Sequence, residues 1–346
     1  MPYNFPYRFF TMNTNGPLDT ILRHGRFYLR HHNPKRLKNL ALTLDSLIRR
    51  PLHAPNMPIS LKIEPSAMCH LACTSCLQSD PLFKLQTRGR LMNLSLFRQI
   101  LDQAGEHLYR IQFYDQGEPF INKQLLEMIS LAAKHDIGSQ VSTNFSFGFA
   151  DTFYRSIVES GLEHIIIAMD GVNAATYSPY RVNGRFELVE AGMRQVIKWK
   201  RRLKRRLPFV EWQFIIFDHN RHSINEAKVM ARDIGVDRLC FKYDAGAAQD
   251  EWRRIDQFKD RTVRRVRLNS CLWLWGSLNV GTDGTVRPCC NAGRNELIGD
   301  LKVTPLRELW NSERMKSLRA CVREGGREAS GTFMTKSPCT GCPHIM

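Results

Sequence analysis

Acidic residues are scarce in this chain. Only 33 Asp and Glu stand against 50 Lys and Arg, leaving a net charge of +17. That imbalance excludes an acidic, self-solvating chain and favours an anionic partner. Long apolar runs are also missing: no stretch nears the ~18 residues of a membrane span. The start, Met1-Pro-Tyr-Asn-Phe-Pro6, has no basic segment leading into an apolar one, so no secretory signal is read there. Short-period repeats and low-complexity tracts are absent too. What remains is an ordinary globular composition, 43% hydrophobic and 24% charged, with ten cysteines. Without an export signal, those cysteines point to metal ligation in a reducing cytoplasm rather than to a disulfide framework.

The positive charge is uneven. Residues 1–58 carry Arg8, Arg23, Arg26, Arg30, Lys35, Arg36, Lys38, Arg49 and Arg50 against Asp19 and Asp45 alone. A second run, Lys198-Trp-Lys-Arg-Arg-Leu-Lys-Arg-Arg206, follows an apolar stripe of Phe186, Val189, Met193 and Val196 that continues to Leu203. A core-facing helix with a basic outer face accounts for that run. The N-terminal charge leads us to expect a phosphorylated or lipid-linked substrate, and contact with the inner face of a membrane; nucleic acid is not expected.

Strand and helix signals alternate through the middle of the chain, the mark of a parallel α/β architecture. Strands are expected at Ile59–Pro65, Arg110–Tyr114, Ser139–Thr143, His164–Met169, Phe209–Phe217 and Arg238–Tyr243. Helices are expected near 93–106, 122–135, 150–160, 186–206 and 222–234. Six units fall short of an eight-unit barrel of ~250 residues, so the expected fold is a partial (β/α)6 TIM-like barrel over 59–260. Residues 1–58 read as a separate helical extension, with Leu37, Leu40, Leu44, Leu47 and Ile48 on one apolar stripe. Residues 261–346 read as a small cysteine-rich domain.

The first expected strand runs into Cys69-x3-Cys73-x2-Cys76. Iron–sulfur clusters are held by cysteine thiolates, normally four; a loop offering three leaves one iron open. A zinc site completed by His70, or three reduced structural thiols, would use the same residues. Polar, glycine-rich endings recur after the next three strands: Asp115-Gln-Gly-Glu-Pro119, Ser142-Thr-Asn144 and Ala168-Met-Asp-Gly171. Active-site groups of parallel barrels gather at these strand ends.

Together these motifs resemble the radical S-adenosylmethionine (radical SAM) superfamily. The resemblance implies a [4Fe–4S] cluster on Cys69, Cys73 and Cys76, whose open iron chelates the amino and carboxylate groups of SAM. Gly117, Glu118 and Pro119 are similar to the turn that receives the SAM amino group, with Gln116 in place of a glycine. Ser142 and Asn144 match the step near the ribose and carboxylate. Asp170 matches a further contact, with Ala168 where a hydroxyl is usual. Arg181 stands where relatives place an arginine on the SAM carboxylate.

The C-terminal cysteines resemble SPASM/Twitch auxiliary-cluster domains, which implies one auxiliary [4Fe–4S] cluster on Cys271, Cys289, Cys339 and Cys342. A zinc knuckle would use the same thiolates. Cys240, Cys290 and Cys321 are left over, as buried thiols or as hydrogen donors to a substrate radical. The ligand spacing is similar to that of Twitch enzymes acting on sugars and aminocyclitols. The expected function is therefore hydrogen abstraction from a carbohydrate or polyol, oxidised with the auxiliary cluster as electron acceptor. A redox-neutral epimerase and a peptide-modifying maturase are the alternatives. A reductase or flavodoxin-type donor would supply electrons.

Overall fold

The computed structural model describes residues 11–13, 30–243, 271–290, 292–293, 296–324, 339 and 342. The expected boundary at residue 260 and the basic residues Arg8, Arg23 and Arg26 lie outside them. Short β-rich segments form one mixed sheet: β1 (Thr11–Asn13), β2 (Ser60–Ile63), β3 (Arg110–Phe113), β4 (Gly138–Thr143), β5 (His164–Ala168), β6 (Phe209–Ile216), β7 (Arg238–Tyr243), β8 (Ser277–Val280), β9 (Thr285–Arg287) and β10 (Gly299–Asp300). Their order is β1-β7-β6-β5-β4-β3-β2-β8-β9-β10. Strands β2 to β7 are the six expected from the sequence, all paired in parallel. The C-terminal strands do not form a layer of their own. β8 pairs in parallel with β2, and β9 and β10 continue antiparallel from it.

Alternation along the strands separates two environments. Leu61, Ile63, Ile111, Phe113, Val141, Ile165 and Ile167 are completely buried in the apolar core. Helix Leu94–Ala104 covers part of this face with Phe97, Ile100 and Leu101, and helix Phe186–Arg202 covers another with Val189, Met193 and Val196. Truncating Phe113 to Ala would cost about 3–5 kcal/mol. The intervening positions, Lys62, Gln112, Gln140 and Glu211, are polar and line the inside of the barrel. Helix ends follow their residues: Asn93 Oδ1 accepts from Leu96 N at 2.9 Å, and Gly235 closes its helix at φ 82°.

The N-terminal region differs from the expectation of a separate extension. Helix Pro34–Arg49 forms, but its buried face is Arg36, Asn39, Thr43 and Ser46. Leu37, Leu44 and Ile48 are 49%, 54% and 72% exposed. Arg36 is the anchor: its guanidinium donates to the carbonyls of His31, Gly105, His135 and Asp136 at 2.6–3.1 Å. Three of these acceptors lie just past the C-termini of helices Leu94–Ala104 and Leu125–Lys134, where unpaired carbonyls and the helix dipole favour a cation. Asn39 and Ser46 bond Met57 and Asn56. Apolar periodicity pointed to one face; unsatisfied carbonyls selected the other. In the second basic run, Lys200 is buried and pairs with Asp237 at 2.5 Å, while Lys198, Arg201 and Arg202 face outward. Among the described residues, no helix is long and apolar enough to cross a membrane.

Candidate active site

Past β2 the chain forms the three-cysteine loop, with Cys73 6% exposed. The loop is pinned by Ala72 N to Val182 O at 3.0 Å and Thr74 N to Tyr180 O at 3.3 Å. Two side chains, one just past β4 and one in the loop after helix Ala174–Tyr177, donate to its sulfurs. Asn144 Nδ2 lies 3.6 Å from Cys69 Sγ, and Arg181 Nη1 lies 3.7 Å from Cys73 Sγ. Burial, the Glu118 charge and the neighbouring thiols push Cys69 up to about 12. His70 points its Nε2 at Ser146 O, 3.1 Å away. Among the described residues, no three His, Cys, Asp or Glu side chains close round a single metal ion.

The turn after β3 rests directly on this loop. A Cβ at Gly117 would lie 2.1 Å from Ser66 O, so only glycine fits. Gln116 N donates to Glu64 Oε1, and Glu118 N to Met68 O at 2.7 Å. Pro119 starts a short 3-10 turn behind it. Both Glu118 carboxylate oxygens face inward. One accepts from Thr143 Oγ1 at 2.7 Å and Phe120 N at 3.1 Å, the other from Asn144 N at 2.7 Å. Burial outweighs those donors and raises Glu118 to about 7. Thr143, not its neighbour Ser142, therefore joins β4 to the turn; Ser142 faces the other side of the strand. Asn144 Oδ1 accepts from Ser146 N at 2.9 Å, leaving its amide nitrogen for Cys69.

Asp170, fully buried beyond β5, accepts from Ile215 N at 2.6 Å and holds Arg181 Nε at 2.5 Å. Burial raises the Asp170 pKa against the pull of Arg181. That ion pair aims the guanidinium at the cysteine loop and over the Tyr180 ring. Ala168 ends β5 as a buried methyl group. The structure thus gathers Cys69, Cys73, Cys76, Gly117, Glu118, Asn144, Asp170 and Arg181 at one end of the barrel.

The second cysteine group is assembled from distant segments. Cys271 precedes helix Leu272–Gly276 and belongs to the apolar core, against which Cys339 and Cys342 also pack. Cys342 N donates to Cys339 O at 3.2 Å. Burial pushes the Cys339 thiol far up, and Cys271, Cys289, Cys321 and Cys342 add to the shift through their charges. Cys321, on helix Glu313–Arg323, therefore lies beside this group. Burial raises the Cys290 thiol and Asp115 adds to the shift, while Lys62 and Arg287 oppose it. Cys240 is elsewhere, buried on β7 and raised to about 11 by burial and the nearby Glu211. The three spare thiols do not form one site.

Residues 271–343 match the SPASM family, an iron-sulfur cluster-binding domain. The chain is 24% identical over 321 residues to the PqqA peptide cyclase of Gluconobacter oxydans (strain 621H), covering 83% of each chain. It is 22% identical over 282 residues to the antilisterial bacteriocin subtilosin biosynthesis protein AlbA of Bacillus subtilis (strain 168), covering 74% of this chain and 60% of that one. Its fold is similar to Streptococcus suis SuiB bound to precursor peptide SuiA, with TM-score 0.62 and 13% identity over 88% of this chain and 72% of that one. These likenesses support a radical SAM enzyme with a SPASM domain. They imply a [4Fe–4S] cluster, an auxiliary cluster and SAM as cofactors.

The residues present fit these groups. Three thiols sharing one buried loop repel one another as thiolates, and the charge of a cluster relieves that repulsion. Asn144 and Arg181 supply the donors to sulfur that tune such a cluster.

Two expectations are corrected. The carbohydrate or polyol oxidation, and with it the small-molecule or lipid-linked anionic substrate, gives way because the relatives named above are a peptide cyclase and a bacteriocin biosynthesis protein. The spacing of Cys271, Cys289, Cys339 and Cys342 encodes how a cluster is held. It carries no information on what the barrel binds. Sequence reasoning also missed Thr143, Lys62 and Arg287. Thr143 could have been found beside Asn144; the other two looked like ordinary strand residues.

Proposed function

We propose that the protein is a maturase that modifies a peptide. The observation that carries this reading is the likeness to a peptide cyclase along 83% of both chains. Cys69, Cys73 and Cys76 hold the SAM-binding cluster; Cys271, Cys289, Cys339 and Cys342 hold the auxiliary one. When bound, the first cluster and SAM supply a 5′-deoxyadenosyl radical for hydrogen abstraction, and the auxiliary cluster supplies electron transfer.

The chain's own residues position the chemistry. Gly117 brings the turn backbone against the cysteine loop, and Pro119 stiffens its exit. Glu118, with both oxygens engaged, orients Thr143 and Asn144 while keeping negative charge near an incoming ammonium group. Arg181, aimed by Asp170, offers positive charge to a carboxylate. The test is anaerobic turnover with SAM and a reductant, presenting candidate precursor peptides and sugars in parallel. Loss of a hydrogen pair from a peptide, seen by mass spectrometry, is the expected result. Turnover of sugars with peptides untouched would refute the proposal.

A further inference from the structure

One buried charged cluster lies outside the contacts described so far. Strand register places Arg287, Asn279, Lys62, Gln112, Gln140 and His164 side by side across β9, β8, β2, β3, β4 and β5. At one end of this polar row sits Asp115, its side chain 1% exposed. Lys62 Nζ lies 3.1 Å from one carboxylate oxygen, and Arg287 Nη2 bonds the other. Both cations are buried as well, and Lys62 Nζ stands 5.0 Å from the centre of the Tyr114 ring. Charges removed from water persist only when paired. Here they hold each other ionised: Asp115 is depressed by its two cations against the effect of burial, and Lys62 is raised because Asp115, Cys290 and Tyr114 together outweigh the effect of burial.

The significance lies in where each partner leads. Lys62 is on β2, the strand that runs into the three-cysteine loop. Asp115 comes two residues before Gly117. Arg287 comes two residues before Cys289, in the hairpin of the auxiliary site. Asn279 lies between Lys62 and Arg287 in the row, fully buried, yet neither atom of its amide has a partner among the described residues. It does not bridge the strands itself, so the ion pairs make the polar crossing from β9 to the end of β3.

We infer that Asp115 is a positioning residue that locks the auxiliary-cluster hairpin to the SAM-binding turn, so that the two cofactor sites are held as one unit. This goes beyond the peptide reading and does not depend on it.

The experiment uses the full chain loaded with both clusters. Asp115→Asn keeps the shape and removes the charge. With iron and sulfide content unchanged, it should weaken SAM binding by about 10-fold and alter the electron paramagnetic resonance spectrum of the reduced auxiliary cluster. Asp115→Glu should restore part of both. Arg287→Lys, which keeps charge but loses the planar guanidinium and its Nη2 contact, should shift both in the same direction by less. The control is Arg319→Gln. Arg319 is completely buried and donates to the carbonyls of Leu52, Leu274 and Trp310, away from the row. Its loss loosens the C-terminal region and should leave SAM affinity alone. Wild-type SAM affinity and spectrum in Asp115→Asn would overturn the inference. An equal loss of SAM affinity in Arg319→Gln would overturn it too, by showing general loosening. Should Asp115→Asn fail to retain iron, Arg287→Lys decides, and wild-type SAM affinity there counts against the inference.

Discussion

The two cysteine sites are built in opposite ways. Cys69, Cys73 and Cys76 come from a single loop, and polar groups surround them: Asn144 and Arg181 at the sulfurs, Glu118 and Asp170 behind. Cys271, Cys289, Cys339 and Cys342 come from segments spread over some seventy residues, and Cys271, Cys339 and Cys342 pack with the apolar core. A site that must accept a charged ligand at an open iron needs free polar groups close by. A site whose four thiolates complete the coordination needs only to be held and shielded. The number of cysteines matters less here than what stands around them.

Separate removal of each site tests that contrast most strongly. Replacing Cys69, Cys73 and Cys76 together by Ala should abolish SAM cleavage and leave about half of the iron. Replacing Cys339 and Cys342 should remove the other half while reductive SAM cleavage continues. Iron analysis and 5′-deoxyadenosine formation measure both, and loss of all iron in either variant would mean that the sites do not fill independently.

A smaller effect concerns the polar shell. Arg181→Ala leaves Asp170 buried without its cation, a loss of about 3–5 kcal/mol, measurable by anaerobic denaturant unfolding. Arg181→Lys should recover much of the stability but not SAM affinity. Glu118→Gln turns an amide N–H toward a backbone or hydroxyl donor and should cost about 1–3 kcal/mol. An unchanged unfolding midpoint would show that the carboxylate is not the tie between β3 and β4.

The smallest effect lies at the far end of the barrel. His31 is buried between Glu163 and Asp136, with ring nitrogens 2.9 and 3.0 Å from their oxygens. Burial lowers its pKa, but Glu163 and then Asp136 raise it by more, to a value above the ordinary 6.5. The folded state therefore holds its proton more tightly than the unfolded state does. The contribution is fully present below about pH 6.5 and fades as pH rises through the folded value. Urea midpoints of His31→Asn and the unsubstituted protein should differ more at pH 6 than at pH 9; a constant gap would reject the ionic account.

Much of this was legible in the sequence. All six barrel strands lie where β-rich runs end in polar turns, because burial on the helix side imposes alternation. The cysteine loop and its neighbouring strand ends were readable for the same reason: short spacing survives as pattern. Helix Pro34–Arg49 was misread as a separate arm because Arg36 satisfies carbonyls from helices some seventy to a hundred residues away. No local pattern records such a partner. Lys62 and Arg287 were missed likewise, since a charged residue inside a barrel looks in sequence like one outside it. The substrate was misjudged because ligand spacing reports the cofactor alone.

The pairing of β8 with β2 also bears on how the chain is made. Ser277 Oγ bonds Ser60 O across 217 residues of sequence. During synthesis β2 can meet β3 soon after both leave the ribosome, but its other edge stays open until residues 277–280 emerge. An open strand edge invites pairing with other chains. The nascent protein thus passes through an aggregation-exposed interval that ends only when Ser277–Val280 arrives. A prematurely terminated product should be insoluble, and slower synthesis should lengthen the time for which chaperones are needed.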